Sequence, residues 1–203
     1  HVPADKLPAI LSLFTETAKE IGDGQQYDLD FEKRDDVTEE EYMEMIRLKT
    51  SVLLAAALKI GAYLADAPAE DAEKLYEFGV KMGLAFQLQD DWLDVYGDPK
   101  VFGKNIGGDI LCNKKTFMLI TALEEANEEQ RAALEGWLAA REYVPAEKIA
   151  AVTALYNEIG VGKRCQEKAE ALNAEGFAIL DSINLSEERK AVLKEYACSM
   201  LNR

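Results

Sequence analysis

The residues best suited to chemistry in this chain lie in one acidic segment near its centre, FQLQDDWLD at residues 86–94. If this segment is helical, one amide and three carboxylates fall at i, i+3, i+4 and i+7 and form a polar stripe about two turns long. These residues are Gln87, Asp90, Asp91 and Asp94. The flanking residues are mostly apolar, so the stripe belongs to an otherwise buried helix and is not simply its solvated face.

Three carboxylates on a buried helix require a cation beside them. Burying even one unpaired carboxylate costs several kcal/mol, and neighbouring like charges add repulsion. Oxygen ligands without histidine or cysteine favour Mg²⁺, and the only histidine of the chain is His1. An acidic stripe that faces water is the ordinary alternative, and the apolar flanks argue against it. A calcium loop of the EF-hand kind is excluded because its mid-loop glycine and terminal glutamate are absent.

Lys49 and Thr50 are the first candidates for binding an anion beside such a metal. They come just before an apolar run at residues 52–58, where a bare lysine is costly unless it faces an anion. A lysine that extends its amine to the surface is the alternative that this pair alone leaves open.

A glycine-rich stretch at residues 103–109 supplies a second candidate, because it predicts a flexible loop that carries Lys104. The run KKT, which begins at Lys114, follows near the start of a helix, and a helix start suits an anion. The spacing of a Walker loop is absent, so a nucleotide-binding loop of that kind is not indicated.

The composition limits the partners of the chain. Acidic residues outnumber basic ones 38 to 23 and give a net charge of -15, which argues against binding nucleic acid or an anionic membrane surface. A polyanion would have to be held by a few placed lysines or by bridging metal ions. The longest apolar stretch, residues 51–64, contains Lys59 and is shorter than the roughly 20 residues that span a bilayer. Three cysteines without paired or metal-binding spacing fit a reducing cytoplasm.

Helical periodicity dominates, and no alternating pattern typical of a strand competes with it, so the fold class is predicted to be all-α. A capping box formed by Thr38 and Glu41 predicts the start of a long buried helix that ends near residue 65. A second central helix is predicted at residues 69–96, and its Gly79 and Gly83 would let a neighbouring helix approach closely. Further helices are predicted at residues 110–126, 128–140, 146–157, 161–182 and 186–202.

Several of these features occur in the order and spacing typical of one enzyme family. They are Lys49-Thr50, the FQLQDDWLD segment, GDP at residues 97–99, Gly103-Lys104, Lys114, and the upstream run GQQYDL at residues 24–29. On these motifs the chain resembles the trans-prenyl (polyprenyl) diphosphate synthases. The resemblance implies an isoprenoid synthase-type helical bundle, in which residues 1–203 would form the carboxy-terminal part of a single domain.

The activity that the resemblance implies is head-to-tail condensation of isopentenyl diphosphate with an allylic diphosphate, with Mg²⁺ as the cofactor. Asp90, Asp91 and Asp94 would belong to the second aspartate-rich motif of the family and are the expected metal residues. Asp90 would be the direct ligand, and Asp94 would act mostly through coordinated water.

The resemblance also implies which residues bind the diphosphate groups. Lys49, Lys104 and Lys114 would neutralise diphosphate oxygens, while Thr50 and Gln87 would position them. The residues expected to be catalytic are Asp90, Lys49 and Lys104.

The first aspartate-rich motif of the family, a DDxxD followed by two arginines, has no counterpart in these 203 residues. The pair Asp35-Asp36 precedes the predicted helix cap in a polar stretch, which is the wrong context for that motif. The amino-terminal helices of the bundle are therefore expected to be missing, and the chain alone is expected to be inactive. For the whole enzyme the resemblance implies a cytoplasmic homodimer.

Two other functions remain open. A class I terpene cyclase or a head-to-head synthase shares the helical fold and the use of carboxylates and metal, although Lys49-Thr50 and Gly103-Lys104 favour chain elongation. A non-catalytic helical partner subunit would keep the fold without turnover, and the intact acidic stripe with its lysines argues against it. Binding of inorganic diphosphate that depends on Mg²⁺ would separate an enzyme from such a scaffold.

Overall fold

The computed structural model describes residues 2–98 and 106–201, and all regular structure in these two ranges is helical. The helices are α1 (Leu7–Phe31), α2 (Glu39–Ile46), α3 (Val52–Leu64), α4 (Ala69–Tyr96), α5 (Gly108–Leu111), α6 (Phe117–Glu125), α7 (Glu128–Ala139), α8 (Pro145–Ile159), α9 (Val161–Asp181) and α10 (Glu187–Leu201). A π-helical turn at Arg47–Ser51 joins α2 to α3. The all-α prediction is confirmed.

The two central helices begin and end where the sequence predicts. Thr38 and Glu41 form the capping box before α2: the Thr38 N–H donates to Glu41 Oε2 at 3.0 Å, and the Glu41 N–H donates to Thr38 Oγ1 at 3.2 Å. Helical structure then continues through the π-helical turn to Leu64. Helix α4 occupies Ala69–Tyr96, the predicted range. Helix α1 is an additional helix beyond those predicted.

The continuous helix predicted at residues 110–126 is wrong, because two short helices occupy this range. Asn113 adopts a left-handed conformation with φ 52 just after α5, where helices commonly end in this way. Its side chain is fixed, since the amide donates to the Leu138 carbonyl at 3.0 Å and Oδ1 accepts from Lys148 Nζ at 2.6 Å. Thr116 then caps α6 by accepting from the Leu119 N–H at 3.4 Å.

Contacts divide the chain into two compact units, of which the first comprises His1–Leu29, Met43–Gln87 and Ala169–Arg203. Burial of apolar side chains from α3, α4, α9 and α10 supplies its core. The members of this core cluster are Ala62, Ala72, Leu75, Phe78, Met82, Leu180, Ile183 and Ala197. The single domain expected from the sequence stays a prediction.

Glycines allow the helices of the first unit to approach closely. A Cβ atom on Gly79 would lie 2.6 Å from the Cα of Ala55, and one on Gly83 would lie 2.5 Å from the Cα of Ser51. Such distances leave no room for a side chain, so the close approach predicted from these two glycines is confirmed. This approach brings the turn that joins α2 and α3 directly against α4.

The second unit comprises Asp30–Tyr42 and Leu88–Lys168. Helix α8 contacts α5, α6 and α7 in this unit. The fully or nearly fully buried apolar residues of the second unit include Leu88, Met118, Ala122, Leu134, Val161 and Cys165. The carboxy-terminal part of α4, which carries the predicted carboxylates, therefore lies in a largely buried setting.

Helix α3 contains most of the longest apolar stretch of the chain and has 13 residues. A membrane-spanning helix needs roughly 20 mostly apolar residues. Among the helices that the structure describes, none combines the length and the apolar character needed to cross a membrane.

Candidate functional site

The structure places the predicted site residues in two sets, one in each unit. The first unit holds Lys49, Thr50 and Gln87, and the second unit holds Asp90, Asp91, Asp94 and Lys114. Lys104, with Gly103 before it, lies outside the described residues.

Lys49 and Thr50 lie in the π-helical turn Arg47–Ser51. Single π-helical turns inside α-helices are rare and occur frequently at functional sites. Gly24 of α1 lies under this turn, because a Cβ atom at that position would be 2.5 Å from the Lys49 backbone nitrogen. The backbone of the turn is thus closely packed against α1.

The side chains of Lys49 and Thr50 each contact a further residue of the first unit. The Lys49 Nζ donates to Asp28 Oδ2 at 2.6 Å, and about a third of the lysine side chain is exposed. The Thr50 hydroxyl donates to Gln87 Oε1 at 3.3 Å. Thr50 and Gln87 are therefore in direct contact, and the expectation that they serve one site with Lys49 stays a prediction.

Asp28 is a site residue to which the sequence analysis assigned no role. It lies in the GQQYDL run, four residues after Gly24 on α1, and residues at i and i+4 share one face of a helix. That face meets the π-helical turn at both positions, since Gly24 makes room for the backbone and Asp28 pairs with Lys49. The spacing of the glycine and the aspartate was the available signal.

Asp91 differs from Asp90 and Asp94 because it is buried, with 2% of its surface exposed. The Tyr42 hydroxyl donates a short hydrogen bond to Asp91 Oδ2. The Phe117 backbone N–H donates to the same oxygen at 3.3 Å. The predicted metal residue is therefore bound by two protein donors, one from α2 and one from the first residue of α6.

Asp94 is half-buried and holds the start of α5. Its Oδ2 accepts from the Asp109 N–H at 3.0 Å, and its backbone carbonyl accepts from the Gly107 N–H at 2.6 Å. Burial raises the pKa of Asp94, and the negative charge of Asp109 raises it further. Lys114 is the nearby cation, with its Nζ 3.5 Å from Asp109 Oδ1.

Asp90 is half-buried, and its carboxylate oxygens are of the kind that a hard divalent cation prefers. Within residues 2–98 and 106–201, no cluster of three or more carboxylate, thiol or imidazole groups is arranged as a complete metal site. Mg²⁺ usually binds through one or two carboxylates together with substrate phosphates and water. Asp90 and Asp94, with carboxylate oxygens only, fit that kind of shared site.

A small cavity of about 10 Å³ lies in the second unit behind these carboxylates, enough for about one water molecule. Asp91, Asp109 and Lys148 contribute to its lining. Lys148 is buried with 1% exposure, and this burial lowers the pKa of its amine. Its Nζ lies 4.4 Å from the centroid of the Tyr143 ring, within the range of a cation–π interaction.

Comparison with known proteins identifies the family of the chain. A sequence model of the family described as Polyprenyl synthetase matches residues 2–159. A short chain isoprenyl diphosphate synthase from Methanothermobacter thermautotrophicus is 38% identical over 186 residues, which are 91% of this chain and 53% of that protein. The chain thus spans about half the length of this relative.

Solved structures show the same fold. A crystal structure of a geranylgeranyl pyrophosphate synthase is 35% identical, with a TM-score of 0.93 over 99% of this chain and 62% of that chain. A geranylgeranyl pyrophosphate synthase from Corynebacterium glutamicum, complexed with isoprenyl diphosphate and magnesium, is 28% identical. Its TM-score is 0.90 over 100% of this chain and 57% of that chain. The chain belongs to the polyprenyl synthetase family.

Proposed function

We propose that the protein carrying this chain condenses isopentenyl diphosphate with an allylic diphosphate, head to tail, in a reaction that requires Mg²⁺. The observation that carries the proposal is the π-helical turn in which Lys49 is held by Asp28 and Thr50 contacts Gln87. Three residues that the family resemblance assigns to diphosphate binding thus occur in a built arrangement of the first unit.

The lysines bind the diphosphate groups in this proposal. Lys49 is partly exposed and already oriented by a carboxylate, so a diphosphate can compete for its amine with little loss of side-chain freedom. Lys114 plays the same part in the second unit, where its Nζ lies near Asp109. Lys104 is proposed for this role on the family resemblance alone.

Asp90 and Asp94 would hold the magnesium ion together with diphosphate oxygens, and the ion would supply Lewis-acid stabilisation of the leaving group. Asp94 is pre-oriented because its carboxylate accepts from the Asp109 N–H. Thr50 and Gln87, both in the first unit, would orient a diphosphate group. The magnesium complex of the C. glutamicum relative supports the choice of cation.

The alternative activities are less well supported by the same residues. A class I terpene cyclase or head-to-head synthase uses carboxylates and metal but does not account for the Lys49-Thr50 turn. A non-catalytic partner subunit does not account for the Lys49 amine, which is oriented by Asp28 Oδ2 at 2.6 Å, or for the neighbouring contact between Thr50 and Gln87. The curated relative named above is described as a diphosphate synthase and the two solved structures as pyrophosphate synthases, which favours chain elongation.

We also propose a cytoplasmic homodimer that uses α1 as part of its interface. Leu7, Leu11 and Phe14 lie at i, i+4 and i+7 on α1 and are all exposed, Phe14 to 61%. Exposed apolar stripes of this kind often mark protein interfaces. Light scattering should give the mass of a dimer, and Phe14→Glu should shift it towards the monomer. An unchanged dimer in Phe14→Glu would exclude this face.

A chimera tests the proposed activity. The amino-terminal part of the M. thermautotrophicus relative would be joined to this chain, and incorporation of radiolabelled isopentenyl diphosphate would be measured with an allylic diphosphate and Mg²⁺. We expect elongated product from the chimera, none from the 203-residue chain alone, and at least a hundredfold less from the Asp90→Asn chimera. Elongation by the isolated chain would contradict the need for a first aspartate-rich motif, and equal activity in Asp90→Asn would contradict the metal role.

A further inference from the structure

The side chains of Tyr42 and Asp91 form a buried polar pair in the second unit. Tyr42 is 1% exposed and Asp91 is 2% exposed, and the tyrosine hydroxyl donates to Asp91 Oδ2. The Phe117 N–H reaches the same oxygen at 3.3 Å. A buried carboxylate is stable only when such donors satisfy it, so these contacts explain how Asp91 tolerates its burial.

Helix geometry places Asp91 at one edge of the arc formed with Asp90 and Asp94. At 3.6 residues per turn, Asp90 and Asp94 lie about 40° apart around the helix axis, whereas Asp91 lies about 100° from Asp90 and about 60° from Asp94. Asp90 and Asp94 are half-buried, and Asp91 is fully enclosed. The acidic segment therefore has a partly accessible pair and one carboxylate turned into the protein.

We propose that Asp91 is a positioning residue and not a metal ligand: it ties α2 and the start of α6 to the helix that carries Asp90 and Asp94. This proposal rests on the proposed function, which assigns Asp90 and Asp94 to binding the metal ion. It narrows the expected metal residues from three carboxylates to two.

The element that Asp91 holds carries a predicted diphosphate-binding residue. Phe117 is the first residue of α6, and Asp91 sits at the end of that helix where the helix dipole favours a negative charge. Lys114 lies three residues earlier, and its N–H donates to the Asp109 carbonyl at 3.0 Å. Fixing Phe117 thus limits the movement of the short segment between α5 and α6 and keeps Lys114 beside Asp109.

The first test measures thermal unfolding of the 203-residue chain without added metal. We expect Tyr42→Phe and Asp91→Asn each to lower the unfolding midpoint by roughly 2–6 °C, while Asp90→Asn leaves it unchanged or raises it by relieving repulsion. The Tyr42→Phe/Asp91→Asn double variant should lose less than the sum of the single losses, because both remove the same contact. Tyr196→Phe, the same chemical change at a 65% exposed tyrosine, is the control.

The second test titrates Mg²⁺ at a fixed concentration of inorganic diphosphate, at a temperature where every variant is folded. Asp90→Asn should raise the Mg²⁺ concentration for half-maximal binding by about tenfold or more. Tyr42→Phe and Asp91→Asn should weaken diphosphate binding and raise that Mg²⁺ concentration by less than Asp90→Asn does, because neither removes a ligand.

The outcomes separate this inference from the proposed function. An Asp91→Asn variant that keeps the wild-type unfolding midpoint, or that shifts the Mg²⁺ requirement as far as Asp90→Asn does, would overturn the positioning role. If the wild-type chain binds no diphosphate at any Mg²⁺ concentration, the proposed function fails in this chain. The thermal double-variant cycle then decides alone: additive losses overturn the positioning role, and non-additive losses sustain it.

Discussion

Lys49 shows how single residues in this protein are prepared for an anion. Its amine is 2.6 Å from Asp28 Oδ2 and is one third exposed, so the pair is open to water and not locked in the core. Partly exposed ion pairs contribute little to stability. The carboxylate of Asp28 therefore serves mainly to orient the amine, and an arriving diphosphate with a larger charge can take over the contact.

Replacing Lys49 by alanine should weaken binding of Mg²⁺-diphosphate by about 10- to 100-fold, because a charge-assisted hydrogen bond is worth roughly 1.5–3 kcal/mol. Isothermal titration calorimetry at fixed Mg²⁺ measures this change. Lys19→Ala is the matched control, since Lys19 is on α1 with 79% of its side chain exposed. Equal losses in the two variants, or no loss in Lys49→Ala, would remove Lys49 from the site.

Residue chemistry was only partly predictable from the sequence. The types and spacing of Lys49, Gln87 and Asp90 indicate metal and diphosphate binding, because few other arrangements justify them among apolar neighbours. The burial of Asp91 was not predictable, since a stripe defined by i, i+3, i+4 and i+7 covers a wide arc of a helix and does not show which edge faces inwards. Tyr42, its donor, looks like any apolar residue of a buried helix.

The helices position these residues through contacts that the pattern of glycines makes possible. Gly24 admits the backbone at Lys49, and Gly83 admits Ser51. The hydroxyl of Ser51 is completely buried, and no hydrogen-bond partner is found for it within the described ranges. Close backbone approach is thus maintained at this turn even though it leaves a polar atom unsatisfied.

Two alanine substitutions on α1 test this approach. Gly24→Ala should destabilise the protein by about 1–3 kcal/mol, because its Cβ would lie 2.5 Å from the Lys49 nitrogen. Gly22→Ala, two residues earlier with no atom within 4 Å of its Cβ, should stabilise it by roughly 0.5–1 kcal/mol. Urea unfolding measures both changes. Similar effects of the two substitutions would show that α1 does not press against the π-helical turn.

Because the amine of Lys148 is buried, the free energy of unfolding of the chain depends on pH. Burial lowers the pKa of Lys148 from its ordinary value of 10.5, so the unfolded chain binds this proton more tightly than the folded chain. The resulting penalty is fully present below the lowered pKa and disappears as the pH rises towards 10.5. The free energy of unfolding of the wild type should therefore rise relative to that of Lys148→Met between neutral pH and pH 10.5.

Chemical unfolding of the wild type and Lys148→Met at several pH values measures this difference. Lys163→Met is the control, because 82% of the Lys163 side chain is exposed. If the free energies of unfolding of the wild type and Lys148→Met differed by the same amount at every pH, the burial of a charged amine would be contradicted.

The boundaries of helices were predictable where the sequence carries strong start or stop signals. The capping box at Thr38 and the residues after Tyr96 set the ends of the central helices, as the structure confirms. The break between α5 and α6 was missed because it uses a left-handed Asn113 held by Lys148, without a proline or glycine at the break. The π-helical turn was missed because one extra residue in a turn does not disturb an apolar pattern enough to be seen.

At the scale of the whole molecule, the net charge of -15 opposes binding of any polyanion. Lys49 and Lys114 each lie near a carboxylate. Their two positive charges offset only a small part of the negative charge of the chain. A divalent cation changes this balance, because it bridges the protein carboxylates and the diphosphate oxygens. The acidic composition and the proposed substrates are therefore compatible only if metal and diphosphate bind together.

Calorimetric titration of the chain with inorganic diphosphate, with and without Mg²⁺, tests this central claim most directly. We predict saturable binding with Mg²⁺, none when EDTA replaces the metal, and at least tenfold weaker binding in Asp90→Asn, with Glu135→Gln on the exposed side of α7 as the matched control. Binding of equal strength in EDTA, or undiminished binding in Asp90→Asn, would contradict a site in which carboxylates and metal hold the diphosphate.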